Sequence, residues 1–382
     1  MSKPSPIADA SRVIDTVAER IESAAIVDRS VLLPIVAASV ARGHVLLEDV
    51  PGTGKTVIAR VFAEAFGLEF TRIQFTPDLL PSDVTGSMIY NEHDGEFRFA
   101  KGPVFTNVLL ADEINRAPPK TQAALLEAME ERQVSIDGTT YALPKPFLVI
   151  ATQNPIEQEG TFQLPEAQRD RFSVKTALGY PDADGEMELL ERRANRQSLA
   201  PTIDPAVTED TLEKLQRIAE TVEVDPKVRR YIIDLARETR SDPRTEMGVS
   251  PRGVQRVFEA ARATAVIFGR EYVRPSDIKR LARPAMAHRL VLRTDAVVEG
   301  IRPETVIEDA LERVAVPGVA TASEPQPTAE KGMQPTTEVE ATAPTSQNGG
   351  SADSTDTPSA EPAVQREPEP APSPDTERSD ET

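Results

Sequence analysis

Short apolar runs and helical stripes divide the chain into two regions of different rhythm, followed by a third that has neither. Up to about Tyr180, brief continuous apolar segments recur between helical stretches: Val45-Leu46-Leu47, Phe70 to Phe75, Val108-Leu109-Leu110, Phe147 to Ala151 and Phe172 to Leu178. Runs this short, separated by helices, predict buried parallel strands in an α/β sheet. From Asp182 to about Glu312 the period lengthens. Ile232, Ile233, Leu235 and Ala236 form a stripe within 228–240, and Val254, Val257, Phe258 and Ala261 form another within 251–268. That is the spacing of amphipathic helices. A sheet domain over 1–180 is therefore expected to precede a helical domain over 181–317. From Gly318 onward the chain is rich in Pro, Glu, Ser, Thr and Ala and nearly free of large apolar residues. Such a segment buries too little surface to offset its ordering entropy, so 318–382 is expected to be a disordered acidic tail.

Charge and composition narrow the function classes. Of the formal net charge of −19, the segment from Gly318 onward carries −10, with 13 acidic and 3 basic residues. Neither it nor 1–317 shows the clustered Lys and Arg that phosphate contacts require, so nucleic acid is not the expected partner. The absence of cysteine excludes disulfides, zinc thiolate sites and a thiol nucleophile. His44, His93 and His288 lie far apart without ligand spacing and read as structural. The first residues lack the basic and apolar regions of a signal peptide. The longest apolar run, 31–41, contains Pro34 and is too short to span a bilayer, which leaves a cytoplasmic protein as the expectation.

The chemistry-bearing residues sit where strands end. After the run beginning at Val45 comes Glu48-Asp49-Val50-Pro51-Gly52-Thr53-Gly54-Lys55-Thr56, a loop that leads into a helix with Ile58, Val61, Phe62 and Ala65 on one face. Glycines at 52 and 54 permit close approach of the backbone to an anion, and loop N–H groups with a helix N-terminus can face phosphates. Lys55 can reach the β- and γ-phosphates of ATP, and the Thr56 hydroxyl can ligate Mg²⁺. The stricter form of this pattern has glycine where this chain has Asp49. A second apolar strand ends in Asp112-Glu113, which suits a carboxylate in the Mg²⁺ shell followed by one that orients or deprotonates the attacking water. A third ends near Asn154, whose amide can bond the γ-phosphate or hold that water. Arg171 precedes the last strand of the series, placed to enter a neighbouring subunit's site.

These residues resemble a known family. The run Phe105-Thr-Asn-Val-Leu-Leu-Ala-Asp-Glu-Ile-Asn-Arg-Ala-Pro-Pro-Lys-Thr-Gln-Ala-Ala-Leu-Leu-Glu-Ala-Met-Glu-Glu131 and the run Gln153-Asn-Pro-Ile-Glu-Gln-Glu-Gly-Thr-Phe-Gln-Leu-Pro-Glu-Ala-Gln-Arg-Asp-Arg-Phe172 closely resemble the signatures of MoxR-type AAA+ ATPases, and the likeness covers about 12–312. The resemblance implies an αβα P-loop core with a parallel sheet, an all-α lid, and ATP bound between them. It also implies a ring, usually a hexamer, acting as a chaperone on protein complexes with a von Willebrand factor A domain protein as partner. Asp49 to Thr56 then resemble Walker A, Asp112 and Glu113 Walker B, Asn154 sensor 1 and Arg171 the arginine finger. Arg252, in Ser250-Pro-Arg-Gly253, resembles the sensor 2 arginine and is expected to reach the γ-phosphate at the junction of the two domains. Relatives often carry Glu-Asp-Val-Pro-Gly, so Asp49 is compatible with the family.

Two further segments bear on the client. Gln133 to Leu143 alternates around Asp137-Gly138, a strong hairpin signal, and resembles the hairpin before sensor 1. Phe75 to Gly86, followed by Tyr90 to Lys101, resembles the insert in the second core helix. Both are expected to line a pore. Competing readings are a nucleic-acid motor or loader, a magnesium-chelatase-like ATPase subunit, and a non-catalytic scaffold. The intact Lys55, Asp112, Glu113 and Arg171 argue against the last.

Overall fold

In the computed structural model, which describes residues 5–93, 95–155, 161–196, 198 and 200–318, the five apolar runs form five parallel strands of one sheet. The disorder expected of the acidic tail concerns residues that, from 319 on, lie outside those described. Helices α1 (Pro6–Glu22) and α2 (Arg29–Val40) precede β1 (Val45–Glu48), α3 (Lys55–Ala65) and β2 (Phe70–Gln74). A short α4 (Pro81–Thr85) and the hairpin of β3 (Gly86–Asn91) and β4 (Glu96–Lys101) lead to β5 (Val108–Asp112) and α5 (Pro119–Glu131). The hairpin of β6 (Gln133–Ile136) and β7 (Thr139–Ala142) comes next, then β8 (Leu148–Gln153), α6 (Glu166–Arg169) and β9 (Val174–Thr176).

The sheet order is β2-β5-β8-β1-β9, with every neighbour parallel. Because side chains alternate across a strand, each buried run feeds two cores. Val45, Leu47, Val108, Leu110 and Ile150 enter the layer formed with α1, α2 and α3. Leu46, Leu109, Ala111, Val149 and Ala151 enter the opposite layer, with Leu125, Leu126 and Met129 of α5. This double burial is why these strands read as unbroken apolar runs. His44, just before β1, is buried and neutral: desolvation holds its pKa well below the usual histidine range. Its Nδ1 accepts from Val149 N–H, and its Nε2–H donates to Met129 O, which stitches β1, β8 and α5 together.

From Ala183 the chain is mostly helical: α7 (Ala183–Asn195), α8 (Thr211–Glu220), α9 (Pro226–Ser241), α10 (Pro251–Ile267), α11 (Pro275–Met286), α12 (Thr294–Val298) and α13 (Pro303–Arg313). A small pair of strands, β10 (Thr245–Met247) and β11 (Val291–Leu292), interrupts them. Helix α10 packs on α1, α2, α8 and α11, so the two N-terminal helices share one apolar core with the helical region and with one face of the sheet. Among the described residues no helix is long and apolar enough to cross a membrane.

One polar joint closes the helical region. The buried Asp242 carboxylate accepts from Arg244 Nε and Nη2 at 2.8 and 2.7 Å and from the Arg244 backbone N–H, while Arg244 also pairs with Asp309 of α13. The Arg244 hydrogen bonds outweigh the cost of burial and hold the carboxyl down at about 2. A depressed folded pKa gives stability that is present above the unfolded value, near 3.9, and is lost as pH falls through about 2. Asp242→Asn is expected to cost about 2 kcal/mol at neutral pH. The gap from the parent, read from denaturant midpoints at several pH values, should narrow below pH 4.

A candidate nucleotide-binding and hydrolysis site

At the C-terminal end of β1 the chain turns through 49–54 into α3. Gly52 and Gly54 have φ of +88° and +92°, a region that side chains with a Cβ rarely occupy. Gly54 is also the N-cap of α3 and supplies no capping side chain, so the first N–H groups of the helix remain available to a ligand. The Lys55 ammonium folds back over the loop and donates to Asp49 O and Val50 O at 2.6 and 2.9 Å. Burial lowers its pKa, and the carboxylates of Asp49, Asp112 and Glu113 oppose that shift.

Two strands away, β5 ends in the carboxylate pair. Asp112 is buried, and Glu113 sits in left-handed backbone at φ +57°, an uncommon conformation for a residue with a Cβ. Their partners come from both neighbouring strands. Thr152 of β8 donates its hydroxyl to Asp112 Oδ1 at 2.6 Å and accepts from Glu113 N–H at 2.8 Å. Arg72 of β2 donates through Nε and Nη2 to Asp112 Oδ2 at 3.1 and 2.8 Å. Gln74 accepts from Arg72 and donates from Nε2 to Glu113 Oε2 at 2.7 Å, where Arg116 also donates at 3.0 Å. The parallel register that sets Gln74 opposite Asp112 makes this possible.

Lys55, Thr56, Asp112, Glu113, Thr152 and Asn154 line one cavity of about 310 Å³, with Pro51, Gly52 and Gly54 on its rim. The Thr56 hydroxyl and the Asp112 carboxylate are the hard oxygen donors that Mg²⁺ takes, and both residues line that cavity, so the residues present fit the ion. A second cavity of about 360 Å³ shares Gly52, Gly54 and Val57 with the first and is walled by Ala25, Ile26, Pro181 and Leu189, with Arg192 and Arg193 beside them. An apolar recess next to a phosphate-sized polar one matches the two ends of a nucleotide. Sequence reasoning missed this recess because its walls come from the α1–α2 connection and from α7, far apart in the chain. It also missed Arg72, Gln74 and Thr152. Their signal was faint: two polar residues at i and i+2 on β2, and a threonine two places before Asn154.

Several residues expected at the site do not line the polar cavity. Thr53 lines the second cavity instead, and Val50 contributes a carbonyl that accepts from Lys55 and from the Thr53 hydroxyl. Arg252, at the start of α10, pairs with Glu130 of α5 at 2.8 Å. It is not among the residues that line the polar cavity. Arg171 lies between Asp170 and Phe172, both of which bond to the helical region, and it too is absent from the cavity wall. Asp49 turns away from the ligand side. Its carboxylate accepts from the N–H groups of Val50, Leu178 and Gly179 at 2.8, 2.9 and 2.9 Å and ties the start of the loop to the strand end beyond β9. Asp49→Gly restores the stricter loop pattern yet deletes these three charge-assisted bonds, and is expected to cost about 2–3 kcal/mol. An unchanged denaturant midpoint would show that the tie contributes nothing.

The model of the ATPase family associated with various cellular activities (AAA) matches residues 44–174, and the AAA lid domain model matches 237–312. Protein YeaC of Bacillus subtilis is 46% identical over 299 residues, 78% of this chain and 93% of that protein. Chaperone MoxR1 of Mycobacterium tuberculosis is 46% identical over 287 residues, 73% of this chain and 75% of that protein. The crystal structure of a candidate ATPase from Cytophaga hutchinsonii superposes with a TM-score of 0.77 at 39% identity, covering 82% of this chain and 97% of that one. A parallel sheet of this order, a glycine loop and carboxylate pair at one edge of it, a helical lid, and relatives matched over most of their length converge on one assignment: the chain belongs to the MoxR-type AAA+ ATPases.

Proposed function

We propose that this protein binds and hydrolyses Mg·ATP as a ring-shaped oligomer, a hexamer, and uses the cycle as a cytoplasmic chaperone that remodels or matures protein complexes with a von Willebrand factor A domain protein. The observation that carries the ATPase reading is the single cavity on which Lys55, Thr56, Asp112, Glu113 and Asn154 converge. In this reading 1–180 is the nucleotide-binding core, 181–317 the lid and 318–382 an acidic appendage. The N–H groups of Gly52, Thr53 and Gly54 and of the first turn of α3 cradle the phosphates. Lys55 leaves the carbonyls of Asp49 and Val50 for the β- and γ-phosphates, exchanging neutral acceptors for charged ones. Thr56 and Asp112 hold Mg²⁺, which when bound neutralises charge developing on the phosphate oxygens. Glu113 orients the attacking water and accepts its proton, and Asn154 steadies the γ-phosphate or that water. To act so, Glu113 exchanges Gln74 and Arg116 for the water.

Arg171 and Arg252 do not line their own cavity, which supports their service in the site of a neighbouring subunit, where one such arginine is worth about 10³–10⁵ in rate. The chaperone reading rests on the likeness to Chaperone MoxR1. It gains support from the β3–β4 hairpin, whose Ile89, Tyr90 and Phe97 are 56%, 52% and 66% exposed. Apolar side chains held out on a hairpin suit contact with a client polypeptide.

Lys55→Ala should abolish nucleotide binding, measured by a fluorescent ATP analogue; near-normal hydrolysis would sink the assignment of the loop. Arg171→Ala should bind nucleotide normally but lose about 10³-fold or more in turnover, and co-assembly with Glu113→Gln subunits should restore part of it. Glu113→Gln protein held in ATP, with Lys55→Ala as the control, should capture a von Willebrand factor A domain protein from the native host. Capture of nucleic acid or replication proteins instead would overturn the chaperone reading.

A further inference from the structure

We infer that Arg289 is a positioning residue that fastens the segment bearing Arg171 to the lid, so that Arg171 and Arg252 are presented to a neighbouring subunit as one unit. The inference rests on the reading of Arg171 as an arginine that acts in trans. Arg289 closes a one-turn 3₁₀ helix, 287–289, that follows α11, and its side chain is 1% exposed. Both of its Nη groups donate from the helical region to the segment just before β9. Nη1 donates to the backbone oxygen of Asp170 at 2.7 Å and also to the Asp170 carboxylate, Nη2 donates to Phe172 O at 2.7 Å, and Nε donates to Ala285 O at 2.7 Å. The two residues it grips are the immediate neighbours of Arg171.

Other groups reinforce the same joint. His288 Nε2–H also donates to Phe172 O, at 3.1 Å. The Ser250 hydroxyl, at the N-cap of α10, donates to Asp170 Oδ2 at 3.0 Å and accepts from Gly253 N–H at 2.9 Å. Between Ser250 and Gly253 stands Arg252, so the fixture that holds the flanks of Arg171 also sets the base of Arg252. Room for the guanidinium is built in: a Cβ at Gly253 would lie 2.9 Å from Arg289 Cδ and 2.8 Å from Val249 Cγ1. Burial pushes the Arg289 guanidinium below the usual arginine range. Asp170 opposes this, and the nearby charges of Arg256 and Arg252 add to it. Packing a third cation next to Arg252 is a costly way merely to fill space, since an apolar residue would fill it without repulsion. What the guanidinium supplies, and an apolar residue or a lysine cannot, is a planar fork that reaches the carboxylate and three carbonyls at once.

A positioning role differs from a purely structural one in who can compensate for its loss. A subunit with a loosened clamp keeps its own loop, Asp112 and Glu113, so its site works again once its neighbour supplies well-placed arginines. Arg289→Lys should leave affinity for a fluorescent ATP analogue unchanged and lower turnover by about 10²-fold, the cost of misplacing a reacting group by an ångström. Co-assembled with Glu113→Gln subunits, which cannot hydrolyse ATP but carry intact Arg289, Arg171 and Arg252, it should regain activity. Asp170→Asn, which keeps the shape of the joint and removes its negative charge, should behave the same way and takes over the test if Arg289→Lys fails to fold or assemble. Arg171→Ala mixed with Glu113→Gln is the control. Rescue of both Arg171→Ala and the clamp variant supports the proposal. Rescue of Arg171→Ala alone, or a clamp variant with normal turnover, overturns it. Rescue of neither overturns the in-trans reading beneath it.

Discussion

The parallel pairing of β1, β5 and β8 is the constraint from which the site follows. A parallel strand needs both faces covered, so these three are buried by helices on one side and by α5 on the other. Parallel strands also end together. The register that pairs Leu110 with Ile150 and Glu48 with Gln153 brings the end of β1, the end of β5 and the end of β8 to one edge of the sheet. Lys55, Asp112, Glu113 and Asn154 are 99 residues apart at the extremes of the sequence, yet each lies just past a strand end or at it. Anything that disturbed the order of these strands would scatter the cavity wall without touching a single residue of it.

The charged groups of that cavity already have protein partners. Lys55 rests on two backbone oxygens, Asp112 on Arg72 and Thr152, and Glu113 on Gln74 and Arg116. A half-buried cation or anion without a partner is expensive, so such pairings follow from burial itself. They also mean that a ligand competes with the protein for each group. The competition is uneven: a phosphate offers Lys55 formal negative charge where the loop offers only carbonyl dipoles, whereas Arg72 already offers Asp112 a full positive charge. The lysine is therefore the group most readily drawn off by an anion, and Asp112 is the group most firmly kept in place.

Elements with a strong local code were legible in the sequence. Five apolar runs became the five strands of the sheet, and Asp137-Gly138 became the turn of a hairpin with both residues at positive φ. The stripes at 228–240 and 251–268 became α9 and α10. The cavity was legible to the extent that its residues end strands. Partners that arise only from strand adjacency were not: Arg72 and Gln74 reach the carboxylates because β2 lies beside β5, and nothing within β2 announces its neighbour. Asp49 shows another limit. Read against a loop pattern it is a missing glycine, but its carboxylate serves the backbone at Leu178 and Gly179, 129 and 130 residues away. Arg252 shows a third, because its motif names a residue type and a position but not the direction in which the helical region faces, which brings it to Glu130 of α5.

That direction matters more than any single contact in the lid. Helix α10 is packed on α1 and α2, behind one face of the sheet, while its N-terminus meets the segment just before β9. Movement of the lid relative to the sheet must therefore pull on Asp170 and Phe172, the only covalent route to Arg171. Meanwhile the second cavity is walled partly by α7, which carries Leu189 and Arg193 beside Gly52 and Gly54. A ligand lodged there touches the connection that leads from the sheet into the lid. Both features sit where sheet and lid meet: α7 borders the recess beside Gly52 and Gly54, and the N-terminus of α10 holds the flank of Arg171. Under the proposed ring arrangement, a shift of the lid in one subunit would reach the next subunit's cavity through Arg171, without any diffusing signal.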